Sequence, residues 1–336
     1  MKILFVHQSL QSFVQKDLDI LRSKHEVREL CFAGRKNILL NIIPDLYHLI
    51  KGVLWCDMTF SWFGKLHAFF AVFFSEVLHK RSVVVSGGDD VACEPQIKYG
   101  MFVFWWKQWC PLFVFSHADL ILCVSEFNKE ETIKNAKADP RKVKLIYHGF
   151  SSQDFYRLPE INKNNTVITI GNITTDTLII KGLRLFIESA KHLPDINFIL
   201  VGPGYKALLD NLKNIAPQNL FIPGGVYGKH LVEICSKAKV YAQFSTHESF
   251  GCSIAEAMLC ECVPVVSRNG AIPEVVGDTG FYVDELIPEK VAEKIKYALS
   301  LPEDYGVRAR NRIIEKFPLS KRGQQILEAI ETISNE

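Results

Sequence analysis

Apolar residues cluster along this chain in short β-like runs, separated by segments of helical length with a period near 3.6. In the first half the runs are KILFVH (2–7), CDMTFSW (56–62), RSVVVSGG (81–88), DLILCVS (119–125) and KVKLIYHG (142–149). A second series begins at TVITIG (166–171) and continues through INFILVGPG, NLFIPGG, KVYAQFS and VPVVS. Strands alternating with helices predict parallel sheets, here two doubly wound ones. The polar, proline-containing segment SSQDFYRLPEINKNN (151–165) reads as the linker. The expected division is 1–157, 158–316 and a terminal helix at 317–336, after Pro318. In such sheets ligands bind in the crevice beside the strand C-termini.

Two aromatic stretches stand apart from this plan, FSWFGKLHAFFAVFFSEVL (60–78) and MFVFWWKQWCPLFVF (101–115). Neither offers the roughly 18–20 uninterrupted apolar residues of a membrane-spanning helix. Lys65, His67, Lys107 and Pro111 interrupt them. Core packing is the first expectation. The cluster Trp105, Trp106, Lys107 and Trp109 keeps peripheral membrane association open, because amphipathic aromatics favour the headgroup zone.

The chemistry concentrates in HESFGCSIAEAMLCECVPVVSRNGAIPEVVGDTGFYVD (247–284). The run KVYAQFS leads into Ser249-Phe250-Gly251-Cys252-Ser253, and Ile254, Ala255, Met258 and Leu259 then recur with helical spacing. A glycine turn therefore opens a helix near Ser253. The N–H groups of Gly251, Cys252 and Ser253, together with the positive end of the helix dipole, would seat a diphosphate. Glu248 precedes the turn and Glu256 lies in the early helix. Each can accept hydrogen bonds from sugar hydroxyls near the phosphates.

This ordered set resembles glycosyltransferase family 4, the retaining transferases of the GT-B fold. Their donor site carries E-x7-E, then a P-V-V strand, then a G-G-x-P-E-V-V loop. Here these are Glu248 and Glu256, Pro264-Val265-Val266, and Asn269-Gly270-Ala271-Ile272-Pro273-Glu274-Val275-Val276. CVSEFNKEETIK (123–134) and KLIYHGFSSQDFY (144–156) are similar to the segments that end the family's first domain, with His148 where asparagine is common. TIGNITTDTLIIKGLRLFIESAKHL (169–193) is similar to the strand, loop and helix that begin its donor domain.

The resemblance implies an α/β GT-B fold, with two doubly wound Rossmann-like domains facing a central cleft and a C-terminal helix crossing back to the first. It implies transfer of a hexose from a UDP- or GDP-sugar to an acceptor hydroxyl in glycan biosynthesis, with retention and with neither metal nor cofactor. The acceptor would be a glycan or a lipid-linked hydroxyl. The implied donor site is Asn172, Lys181, Glu248, Phe250, Gly251, Cys252, Ser253 and Glu256. Lys181 would hold the diphosphate, Glu248 the donor sugar and Glu256 the ribose. A noncatalytic GT-B carbohydrate- or nucleotide-binding protein, a GT-B epimerase and a phosphorylase remain open alternatives. A dinucleotide oxidoreductase is disfavoured, since Gly202-Pro203-Gly204 lacks the third glycine of the G-x-G-x-x-G fingerprint.

The chain also departs from the pattern. Many relatives have G-R-L after the first donor-domain strand, where this chain has Gly171-Asn172-Ile173; Arg184 and Arg268 are the candidates to supply the missing cation. Ser249 and Cys252 stand where glycine and leucine are usual, and residues 7–12 lack a glycine-rich loop. Ser86-Gly87-Gly88-Asp89-Asp90, after the strand RSVVV, would point two carboxylates into the cleft, with Asp89 as the catalytic contact to a sugar or acceptor hydroxyl. An acidic turn or cap explains the same residues. His7, His67, His117 and His148 read mostly as packing or loop residues, His148 being the one nearest the cleft.

Composition constrains the reading further. A length of 336 residues with 48% hydrophobic content suffices for two cores. A net charge of +2 gives no reason to expect nucleic acid. The nine cysteines include no C-x-x-C pair, which suits a reduced, cytoplasmic chain, with the inner face of a membrane as the variant of that location. Cys260 and Cys262 lack a neighbouring histidine and read as buried thiols. MKILFVHQSL has neither the apolar core nor the cleavage site of a signal peptide.

Overall fold

The computed structural model describes residues 1–32 and 38–335. They divide into two compact units, Met1–His148 with Ser320–Glu336, and Gly149–Leu319. The segment 151–165 read as a linker belongs to the second unit, where the Leu158 N–H donates to Ser236 Oγ and Arg157 pairs with Glu261 and Glu303.

In the first unit, strands and helices alternate as β1 (Lys2–His7), α1 (Ser12–Arg22), β2 (Glu26–Cys31), α2 (Ile38–Trp55), β3 (Met58–Trp62) and α3 (Leu66–Val77). They continue as β4 (Arg81–Ser86), α4 (Trp105–His117), β5 (Leu120–Cys123), α5 (Glu126–Lys134) and β6 (Val143–Leu145). The strands pair in parallel in the order β2-β1-β3-β4-β5-β6. β3, β4 and β5 carry near-continuous apolar runs because helices cover both faces of such a sheet. β2, EVRELC, was not anticipated. It is an edge strand whose residues are exposed or half-buried, so it has no apolar run to betray it.

The second unit comprises β7 (Asn164–Ile170), α6 (Thr175–Ile180), α7 (Leu183–Ala190), β8 (Asn197–Val201), α8 (Lys206–Ile215), β9 (Leu220–Gly224) and α9 (Gly228–Lys237). Then follow β10 (Ala238–Gln243), α10 (Cys252–Leu259), β11 (Val263–Val266), α11 (Ile272–Val276), β12 (Phe281–Tyr282), α12 (Pro288–Ser300) and α13 (Asp304–Lys316). Helix α14 (Leu319–Ser334) lies almost wholly in the first unit. The second sheet, also parallel, runs β12-β11-β10-β7-β8-β9. Read from β9, its order is 3-2-1-4-5-6, so the chain reverses direction between β7 and β10. That switch point is where an open α/β sheet leaves a crevice for a ligand.

Candidate donor site

The C-terminal ends of the adjacent strands β7 and β10 frame the crevice. After β10 the chain forms the loop 244–251, and α10 begins at Cys252, one residue before the start read from the sequence. Gly251 caps the helix with φ of 101°, a left-handed conformation that favours glycine. Ile254, Ala255, Met258 and Leu259 are buried and hold α10 on the sheet, each large apolar side chain contributing roughly 1.5–3 kcal/mol. The first-turn N–H groups of Cys252 and Ser253 lie where a helix provides no internal acceptors.

Glu248 sits at the middle of this loop, and three groups converge on one of its oxygens. Lys181 Nζ lies 2.7 Å from Oε2, Gln243 Nε2 donates at 2.6 Å and Ser245 Oγ at 3.4 Å. Gln243 is itself buried. Its Oε1 accepts from Tyr241 Oη at 2.6 Å and from Ser253 Oγ at 3.1 Å. A buried chain of polar groups thus joins the first turn of α10 to the Glu248 carboxylate and on to Lys181. Burial pushes the Tyr241 phenol far above its ordinary range, so it stays a neutral donor.

The loop preceding Lys181 contains a helix that the sequence did not reveal. Thr174 and Thr177 form a reciprocal capping box that starts α6, and Lys181 is its C-cap. Gly182 then takes φ of 65°, and a side chain there would strike the carbonyl of Phe244. The Thr246 N–H donates to the Ile180 carbonyl at 2.8 Å, which ties the end of α6 to the Glu248 loop. From the other side, Asn269 Nδ2 and Ser267 Oγ both donate to the Ser245 carbonyl, and the Ala271 N–H donates to the Glu248 carbonyl. The segment similar to the G-G-x-P-E-V-V loop therefore braces the loop that carries Glu248.

Lys181 and Glu248 pair beside the turn Gly251-Cys252-Ser253 that opens α10, with Glu256, half-buried, one turn along α10 from Cys252. Asn172 is exposed at the end of β7, its carbonyl accepting from Thr177 Oγ1. Phe250 differs from the expectation: its side chain is buried between Phe150 and Phe317, so only its backbone could meet a donor. The two candidate replacement cations are engaged elsewhere, Arg184 with Glu188 and Arg268 with Asp284 and the Tyr282 ring. Gln243, Tyr241 and Ser245 were missed. They sit in an apolar-looking strand and a serine-rich turn, and only the register of β10 aims Gln243 and Ser245 at Glu248, with Tyr241 behind them on Gln243.

In the first unit, Asp89 and Asp90 separate in role. Asp90 is buried and accepts from the N–H groups of Gly64, Gly87 and Gly88. Burial, then the neighbouring Asp89, push it up to about 6, against the pull of those N–H donors. It is fully buried and shapes the turn, so of the two expected carboxylates only Asp89 is presented. Asp89 is the presented acid, with Lys65 Nζ 2.7 Å away. His67 is buried with Nε2 2.6 Å from the Trp62 carbonyl, and burial pushes it down to about 4. His148 is buried and stacks on Trp62, 5.8 Å between centroids. Cys235, Cys260 and Cys262 are buried and, like the other six cysteines, outside any disulfide.

Known proteins are similar to this chain in sequence and in fold. Alpha-maltose-1-phosphate synthase of Mycolicibacterium smegmatis is 27% identical over 251 residues, 65% of this chain and 64% of its own length. N-acetyl-alpha-D-glucosaminyl L-malate synthase of Bacillus anthracis is 30% identical over 146 residues, 41% of this chain and 37% of its own. The chain thus spans less than two thirds of the length of either relative. The crystal structure of Anabaena HepE in complex with UDP-glucose superimposes with a TM-score of 0.81 at 18% identity, covering 99% of this chain and all of that one. The fold is that of the GT-B glycosyltransferases, and residues 152–317, nearly the whole of the second unit, match the family model of the glycosyl transferases group 1.

Proposed function

We propose that the protein is a retaining hexosyltransferase of the family 4 type, moving a sugar from a nucleotide-diphosphate donor to an acceptor hydroxyl without a divalent metal. The observation that carries this reading is the Lys181–Glu248 pair, held beside the N-terminus of α10 at the switch point of the second sheet. Lys181 spends one of its three donors on Glu248, which leaves two for the departing diphosphate. The first-turn N–H groups of α10 share that load. All three donors to Glu248 converge on Oε2, so Oε1 is left to accept from a hydroxyl of the donor sugar. Glu256 takes the ribose hydroxyls. Positioning and electrostatic stabilisation of the leaving group then dominate the rate. The donor phosphate accepts the acceptor's proton as the new glycosidic bond forms on the face the diphosphate leaves. From the first unit, Asp89 serves as a contact to a sugar or acceptor hydroxyl.

Uridine is the base to test first, because HepE, of the same fold, is seen with UDP-glucose. Melting temperatures with UDP, GDP, ADP and their sugar conjugates in EDTA are expected to rise selectively for one base in the wild type and not in Glu256→Ala. No shift with any nucleotide would overturn the donor site. Activity restored only by magnesium would overturn the metal-free reading. The anomeric configuration of the product, read by NMR, decides retention. A noncatalytic binding protein is the second reading, favoured by the uncharged Asn172 and by the engagement of Arg184 and Arg268 elsewhere. Nucleotide binding without donor hydrolysis or transfer would select it. We assign the reaction to a glycan or lipid-linked acceptor on the cytoplasmic side of a membrane.

A further inference from the structure

The two aromatic stretches form α3 and α4, which pack against each other and bury only part of their surface. Their inner residues, among them Ala68, Val72, Val114 and Phe115, join the core of the first unit. Their outer residues do not. Trp105 is 80% exposed, Trp106 54% and Trp109 52%, and Phe73 and Val77 of α3 are exposed as well. Phe69 connects the two rows, its ring 5.1 Å from Trp109 and 6.2 Å from Phe73. This is one continuous strip, not scattered surface apolar residues of the ordinary kind.

Its chemistry indicates the occupant. Tryptophan couples a large apolar ring to a single N–H donor, and among the described residues no protein acceptor meets the indole N–H of Trp105, Trp106 or Trp109. Such side chains settle where one end is apolar and the other wet. Neighbouring positions on a helix diverge by about 100°, and the Trp105 and Trp106 rings stand 88° apart. Diverging rings form a wedge, which a fluid surface accommodates more readily than a flat protein partner does. The charge is one-sided: α4 opens Trp-Trp-Lys with no acidic residue in its first turn and carries no carboxylate along its length, while α3 contributes Glu76 alone. Lys107 and the positive end of α4 therefore favour anionic headgroups. No described helix is long and apolar enough to cross a membrane, so the contact is peripheral.

We propose that the α3–α4 strip docks the protein on the surface of an anionic lipid bilayer, with Trp105, Trp106 and Trp109 inserted at the headgroup level and Lys107 against lipid phosphate. Contact with the bilayer is independent of the donor chemistry and is measured without nucleotide or acceptor. Sedimentation with phosphatidylcholine vesicles, with and without phosphatidylglycerol, is the experiment, together with tryptophan emission. The full chain is expected to sediment with phosphatidylglycerol vesicles, shift its emission to the blue, and release in high salt. The combined variant Trp105→Ser, Trp106→Ser, Trp109→Ser is expected to keep the wild-type melting temperature and lose binding. Should that variant fail to fold, Lys107→Glu alone must weaken binding to phosphatidylglycerol vesicles about tenfold. A wild type that stays in the supernatant, or variants that bind as well as it does, would overturn the proposal. Patch-dependent self-association in place of vesicle binding would also overturn it and make a second copy the occupant.

Discussion

At the scale of single residues, the proposed donor site centres on one carboxylate, that of Glu248, on which Lys181, Gln243 and Ser245 converge. If Lys181 holds the leaving group as proposed, Lys181→Ala is expected to lower turnover at saturating donor by about 100- to 1000-fold. Gln243→Leu keeps the volume but leaves the hydroxyls of Tyr241 and Ser253 and the Glu248 carboxylate short of a partner. It should cost about 1–3 kcal/mol in chemical denaturation and reduce turnover more than nucleotide affinity. In the first unit, His67 stays neutral when folded and protonates near its ordinary value of 6.5 when unfolded. The unfolded chain therefore binds more protons between pH 6.5 and about 4, and stability falls as pH drops through that window, by at most roughly 3 kcal/mol. Asp90 works against this: its raised folded value adds stability in acid that is lost as pH rises toward about 6. Comparing wild type with His67→Gln across pH 4 to 7 should isolate the histidine's share as the difference between the two profiles, the variant keeping only the opposite trend that Asp90 imposes, with stability falling as pH rises toward about 6. The glycine turn that opens α10 was legible in the sequence from its spacing, while the roles expected of Glu248, Glu256 and Lys181 rested on the resemblance. Gln243 was not legible, because a polar residue ending a buried strand looks like any strand end until the register is known.

The elements explain the rest of what could and could not be foreseen. Apolar strands flanked by helices declare themselves, whereas β2 is an exposed edge and α6 is a single short helix made by a threonine capping box within a loop. That helix matters because Lys181 ends it and Gly182 turns the chain into α7. Gly182→Ala forces a side chain into left-handed backbone and against the Phe244 carbonyl. The expected cost is about 1–3 kcal/mol, with a fall in turnover larger than the loss of stability explains, since the Thr246 N–H bond to the Ile180 carbonyl ties α6 to the Glu248 loop. Melting temperature and kcat measured on the same sample would separate the two effects. The aromatic stretches were ambiguous for a physical reason: a helix that is apolar all round hides which face the core takes, and only the packing of α3 on α4 decides it.

For the molecule as a whole, the alternation of strands and helices foretold two parallel sheets, but nothing local foretold how residue 322 closes the first of them. Arg322 of α14 makes a bidentate pair with Asp17 at 2.6 Å on both oxygens and donates to the carbonyls of Ile146 and Tyr147. Both partners are buried, and Trp62 Nε1 donates to the same aspartate. Breaking one side leaves an uncompensated charge in the interior, so Arg322→Ala is expected to destabilise the first unit by about 3–5 kcal/mol, and pairing it with Asp17→Asn should recover part of the loss. A double-mutant cycle in urea would measure that recovery. The arrangement also bears on synthesis at the ribosome. The second unit is one continuous stretch of chain and can finish as it emerges, whereas the first must wait, with Asp17 lacking its counter-ion, until residue 322 has been translated. At about 5–20 residues per second that delay lasts some tens of seconds or less, a period in which the earlier-made half is exposed to chaperones and proteases while the later-made half is still being synthesised.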